Sequence, residues 1–292
     1  MTSPRILLAG ATGAVGIELL RLLRGQGLFV RTLSRTEENA TRLSGLASEI
    51  VVADAAERGA VAGAADGIDT VVSCLGASVS LTLRERRGYH DVDLVANTSL
   101  LEAAKRAGAR RFVYLSAHPG PGYAHTLYLC AHLQVEERVR ASGLSFSFVR
   151  PTGIYSALTD LIAMARAGLG TVVGDGRART NPVHPLDVAE ALADVLAEGP
   201  EVVPVGGPDV MTRDAVMRLA FEAVGKEARI ARVPAGLLRS TSVLLAPVHP
   251  RLSELLEFVA AVMTSDSVAP ARGRRPLRAW FEELASAKSV EM

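Results

Sequence analysis

Cysteine is almost missing from these 292 residues: only Cys74 and Cys130 occur. Their spacing suits neither a metal site nor a disulfide framework, so both read as buried free thiols in a reducing compartment. Net charge is also nearly absent, at +1, which removes any global pull toward nucleic acid or an acidic membrane. The apolar stretch Ala235 to Ala246 is too short to cross a bilayer, and Arg239, Ser240, Thr241 and Ser242 interrupt it. Met1-Thr-Ser-Pro-Arg runs straight into a strand, which argues against a cleavable signal peptide. No repeat, heptad run or low-complexity linker is visible. These absences predict a cytoplasmic protein, monomer or homodimer, with no nucleic-acid and no membrane partner. The basic run Arg272-Gly-Arg-Arg275-Pro-Leu-Arg278 reads either as an anion site or as a solvated turn.

What is there is an alternation. Hydrophobic residues make up 49% and charged residues 22% of the chain, an ordinary globular balance. Apolar strands are expected at Ile6–Ala9, Phe29–Leu33, Glu49–Val52, Thr70–Cys74, Arg111–Leu115, Ser145–Val149 and, later, Val202–Val205. Helices are expected at Ala14–Arg24, Arg58–Ala65, Gly88–Ala107, His125–Ser142 and Pro185–Glu198. Strands separated by helices imply right-handed crossovers, hence an α/β, Rossmann-type, doubly wound parallel sheet. Residues 1–207 are read as the nucleotide-binding domain, with 156–181 contributing to a substrate cleft. Residues 208–292 are read as a smaller, mostly helical cap on the substrate side. There, Leu237-Leu238 and Val243-Leu-Leu245 are expected to cover a small, fairly apolar substrate or to pack as ordinary core.

In such a sheet ligands sit at the carboxyl ends of the strands. The first of those ends carries Gly10-Ala-Thr12-Gly13-Ala14-Val15-Gly16 between a strand and a helix, the context that lifts this glycine pattern above chance. Gly10 permits the tight turn, Gly13 a close approach to a pyrophosphate, and Gly16 close helix–sheet packing. The N–H groups of the helix start then face the phosphates. At the second strand end no carboxylate appears before Glu37. Ser34 and Arg35 stand there instead, which suits a 2′-phosphate and favours NADPH over NADH. Asp54 follows the third strand and fits an adenine contact or a helix cap. Leu75 and Gly76 lie where the central riboses would pass.

Together with Phe112-Val-Tyr-Leu-Ser116, Ser142-Gly-Leu, Arg150-Pro-Thr-Gly153 and Pro182-Val-His-Pro-Leu-Asp187, the glycine turn resembles the atypical and extended short-chain dehydrogenase/reductase superfamily, in its NmrA-like group. The resemblance implies carbonyl reduction by a serine, a tyrosine and a lysine four residues after the tyrosine. Ser116 matches the serine and Tyr128 the tyrosine, but the lysine position holds His132. Lowering a tyrosine pKa from about 10 to near 7 requires about 4 kcal/mol, and a histidine of pKa about 6.5 is only partly charged at neutral pH. Three outcomes follow: a reductase with a modified relay that prefers mildly acidic pH, an enzyme for an unusually reactive substrate, or an NADP(H)-binding redox sensor or assembly factor without turnover. Epimerase or dehydratase chemistry also fits the residue types. The resemblance further implies that Thr152 contacts the cofactor and that His184 and Asp187 are a structural marker. His118, Tyr123 and His125 are read as lining the substrate mouth or as surface, and Arg84, Arg86 and Arg87 as an acidic-substrate handle or a solvated run. No metal is expected, since no third ligand has suitable spacing.

Overall fold

Ile6–Ala9 has no polar face, and in the computed structural model, which describes residues 3–76 and 89–287, all four residues are buried as strand β1. Helix α1 (Ala14–Gly25) carries the chain to β2 (Val30–Ser34), and α2 (Glu37–Leu43) leads to β3 (Glu49–Val52) and β4 (Thr70–Ser73). A π-helical stretch (His90–Ala96) runs into α3 (Asn97–Arg106), followed by β5 (Arg111–Leu115), α4 (Leu127–Arg140) and β6 (Ser145–Pro151). After α5 (Thr159–Ala167), β7 (Gly170–Val173), β8 (Arg179–Thr180) and α6 (Pro185–Ala193), the chain returns to the sheet as β9 (Val202–Val205). The seven strands run β3-β2-β1-β4-β5-β6-β9, every pair parallel.

Alternation along the strands feeds two cores. Leu7, Val71, Phe112, Tyr114 and Phe148 pack on one face with Leu100, Val135 and Val139. Ile6, Leu8, Val72, Val113 and Val149 pack on the other with Leu19, Leu23, Val188 and Leu192. Neighbouring residues of one strand thus serve opposite faces, as the two-residue strand period requires.

Two expectations change. Residues 58–65 form a succession of turns, not a helix: Ala60, Ala62 and Ala64 each donate three residues back, to Glu57, Gly59 and Val61, and Gly59 has φ 79°. Helix α2 was not anticipated, although Thr36 accepts the Asn39 N–H at 3.3 Å and Glu37 and Glu38 occupy the first turn. That is an ordinary N-terminal signature.

The smaller lobe is assembled from separated stretches. β10 (Met211–Thr212) pairs with β8, and β11 (Ile230–Val233) pairs with β7. Helices α7 (Arg213–Ala223) and α10 (Leu277–Ala287) join α5 around a third core of Tyr155, Ile162, Val172, Met217, Phe221 and Phe281. Residues 155–173 therefore share a core with the C-terminal region. Between them, α8 (Ala235–Leu245) and α9 (Pro250–Met263) form a helical hairpin. Arg275 in the basic run pairs with Asp187 and Glu190, and Arg278 pairs with Glu222, so much of that run is spent on internal ion pairs. His184 caps α6 by accepting the Leu186 N–H at 3.0 Å.

Candidate active site

At the carboxyl ends of β1 to β4 a cleft of ≈ 220 Å³ is lined by Gly10, Thr12, Gly13, Ser34, Arg35, Asn39, Asp54, Cys74, Leu75 and Gly76, among others. Dispersed sequence expectations meet there. The cleft is smaller than the roughly 300–1,000 Å³ of typical ligand pockets.

The glycine turn has the shape such a site needs. Gly10 has φ 81°, and a Cβ there would collide with the Cys74 carbonyl; a Cβ at Gly16 would collide with the Gly10 carbonyl. Gly13 is the N-cap of α1 with no side chain closing the helix start and no acidic residue in the first turn. The free N–H groups and the positive dipole end are left for an anion. Val15 points its side chain into the core, so it and Ala14 have only backbone to offer. These features fit the diphosphate of a nicotinamide dinucleotide.

Arg35 is exposed at the rim of the cleft. The Ser34 hydroxyl donates to the Thr36 carbonyl at 3.0 Å, and Asp54 accepts the Ala56 N–H at 2.9 Å while facing the cleft. Both donors of Thr152 are turned inward: its hydroxyl reaches the Asn181 carbonyl at 2.5 Å and its N–H the Val205 carbonyl at 3.0 Å.

Tyr128 and His132 lie one turn apart on α4, ring centroids 4.7 Å apart and edge to face. Tyr128 also packs against Phe258 and Tyr89, at 4.5 and 5.1 Å. Its hydroxyl has no hydrogen bond among the described residues. Burial, then the Asp93 carboxylate, pushes its pKa well above the ordinary tyrosine value. His132 is buried; Nδ1 lies 2.6 Å from the Tyr114 hydroxyl and Nε2 3.6 Å from Asp93 Oδ1. Burial lowers its pKa to about 4. The expected partly charged activator is therefore corrected: the ring is neutral at physiological pH, because desolvation outweighs the opposing pull of the Glu136 carboxylate.

Ser116, at the end of β5, is also buried and donates to Glu136 Oε1 at 2.7 Å. Glu136, fully buried, takes a forked pairing from Arg150 and a further bond from Arg140 at 3.2 Å. Tyr123 is buried as well, donating to Ser267 at 2.7 Å and to the His118 carbonyl, whereas His125 is exposed. Arg84, Arg86 and Arg87 lie outside the described residues.

A sequence profile of the family described as NAD(P)H-binding matches residues 10–199. The chain belongs to the NAD(P)H-binding family. Its resemblance to the NmrA-like group of atypical short-chain dehydrogenases/reductases is borne out at that level. The chloroplastic divinyl chlorophyllide a 8-vinyl-reductase of Arabidopsis thaliana is 27% identical over 283 residues, covering 87% of this chain and 66% of that protein. The photosystem II assembly factor Ycf39 of Guillardia theta is 24% identical, over 80% of this chain and 74% of its own length. The structure of the Escherichia coli NADPH-dependent quinone oxidoreductase QOR2 with NADPH superposes with a TM-score of 0.72 at 17% identity, over 96% and 99% of the two chains, a likeness of fold.

Several site groups escape the sequence reading. Glu136 follows His132 by one turn on the same face of α4, so a carboxylate on a core-facing stripe was a usable signal. Asp93 and Asn97 are likewise one turn apart. Asn97 is buried, bonds the Ser73 hydroxyl and donates to the Leu75 carbonyl at 3.4 Å, so it anchors the cleft wall after β4.

Proposed function

We propose that the chain is an NADPH-dependent reductase of a carbonyl or conjugated carbonyl in a small, fairly apolar metabolite, with Tyr128 as proton donor. The observation that carries this reading is the Tyr128 hydroxyl, which among the described residues has no hydrogen bond and no cation acting on it. A phenol in that setting keeps its proton and gives it up only to a strongly basic oxygen, such as an alkoxide forming in an apolar site. That favours reduction over the reverse reaction, which needs a tyrosinate. When bound, the cofactor supplies the hydride.

The other residues hold this arrangement. His132 is a neutral wedge that fixes the Tyr128 ring edge-on. Ser116 is oriented by Glu136, and to donate to a substrate oxygen it must give up a charge-assisted bond worth about 1.5–3 kcal/mol. Arg35, with no carboxylate at the end of β2, supports NADPH over NADH. The relative named as a reductase supports the reaction class. A second reading, cofactor binding without turnover, is favoured by His132 standing in the expected lysine position and by the relative named as an assembly factor.

NADPH absorbance in the presence of ketones, quinones and enones separates the two. Turnover is expected, and Tyr128→Phe should reduce it by about 10²–10⁴-fold with NADPH binding intact. Neither Tyr128 nor His132 titrates between pH 6 and 9, so wild-type kcat should be level there. Turnover unaffected in the Phe variant overturns the assignment of Tyr128. Tight NADPH binding with no turnover on any substrate class supports the second reading.

A further inference from the structure

The hairpin of α8 and α9 is built inside out. Its inner face holds Ser242, buried, whose hydroxyl meets Ser253 at the carbonyl (2.9 Å) and at Oγ (3.0 Å). Its outer face is aliphatic: Leu237 is 59%, Val243 73% and Leu244 77% exposed, and Val248, on the turn after α8, is 81% exposed. Leu237 and Leu244, seven residues apart, share one line along the helix. Of the side chains expected to cover the substrate, Leu237, Val243 and Leu244 point to solvent instead, while Leu238 and Leu245 are half-buried. Exposed aliphatics scattered singly are ordinary, but a contiguous stripe is a mark of an interaction site.

We infer that this stripe is a docking surface for an anionic lipid bilayer, with α8 lying in the interface plane. Charge favours that occupant. No carboxylate occurs between Glu227 and Glu254, and of the arginines in that stretch Arg229 and Arg239 are exposed, whereas Arg232 pairs with Asp214 and Arg251 is buried. Arg239 is exposed on α8 itself. An aliphatic stripe flanked by arginine, on a helix of 11 residues, has the composition of an interfacial segment and not the length of a spanning one. A second copy of the chain fits less well. A stable interface engages roughly 20–30 residues a side, far more than this stripe offers, and a two-fold pairing would bring like charges together. The overall charge of +1 does not bear on the point, because binding follows the local field within a Debye length. The inference is independent of whether the enzyme reading of Tyr128 holds.

Co-sedimentation of the full chain with vesicles tests it. The wild type should pellet with mixed phosphatidylcholine–phosphatidylglycerol vesicles and much less with phosphatidylcholine alone. Leu244→Asp, a change at an exposed position, should keep the wild-type melting temperature and NADPH affinity but lose about tenfold or more in vesicle partition. Arg239→Glu should weaken binding to the mixed vesicles and leave the residual phosphatidylcholine binding unchanged. Failure of the wild type to pellet with mixed vesicles overturns the inference, as does a folded Leu244→Asp that pellets equally well. A concentration-dependent dimer in solution that Leu244→Asp dissolves also overturns it, assigning the stripe to a copy–copy contact.

Discussion

His132 places one ring nitrogen against the Tyr114 hydroxyl and the other toward Asp93. Its pKa of about 4 lies below the unfolded value of about 6.5, so below pH 6.5 the unfolded chain binds a proton that the folded chain refuses. Stability therefore rises with pH across the window from 4 to 6.5, and is lost as pH falls through it. At pH 5 the loss from this one group is about 2 kcal/mol relative to pH 7. Urea melts at the two pH values should show a difference that shrinks by about that amount in His132→Leu. The leucine variant also strands the Tyr114 hydroxyl, but equally at both pH values. A pH difference identical in the two proteins would show that the buried imidazole is not neutral in the native state.

At the scale of the element, the strand–turn–helix of β1 and α1 is a single device. The turn must pass close under the Cys74 carbonyl, and α1 must start within contact of Gly10; side chains at either point prevent it. Gly16→Ala puts a methyl group against the Gly10 carbonyl and pushes α1 off the turn, where the uncapped N–H groups converge. NADPH affinity should fall by about tenfold or more, in keeping with a charge-assisted site losing 1.5–3 kcal/mol, and calorimetric titration measures it. Helix α4 is the second such device, carrying Tyr128, His132 and Glu136 at four-residue steps on its buried side. The pattern was written in the sequence, yet only Tyr128 and His132 stood out, because Glu136 becomes a site residue only when Arg150 and Ser116 arrive from β6 and β5. The turns at 58–65 show the opposite error, an alanine-rich run mistaken for a helix where Gly59 and Gly63 break it.

Across the whole molecule, one sheet with a core on each face holds the cleft at the glycine turn, and a third core holds the smaller lobe together. Phe221 is fully buried in that third core. Phe221→Ala should cost about 3–5 kcal/mol by urea denaturation while changing NADPH affinity little, since none of its neighbours lines the cleft. Equal damage to both would mean that the lobe and the cleft are one cooperative unit.

The strand–glycine–helix order, the parallel sheet and most residues around the cleft at the glycine turn were fixed by local chemistry: period, glycine spacing and the type of residue at each strand end are properties of neighbours in the chain. Burial decided the rest. Only packing made His132 neutral, turned the donors of Thr152 inward, bound Ser116 to Glu136 and set the aliphatic side of α8 outward. Solvation and long-range partners fix the charge and availability of a polar group, and a linear order of residues contains neither.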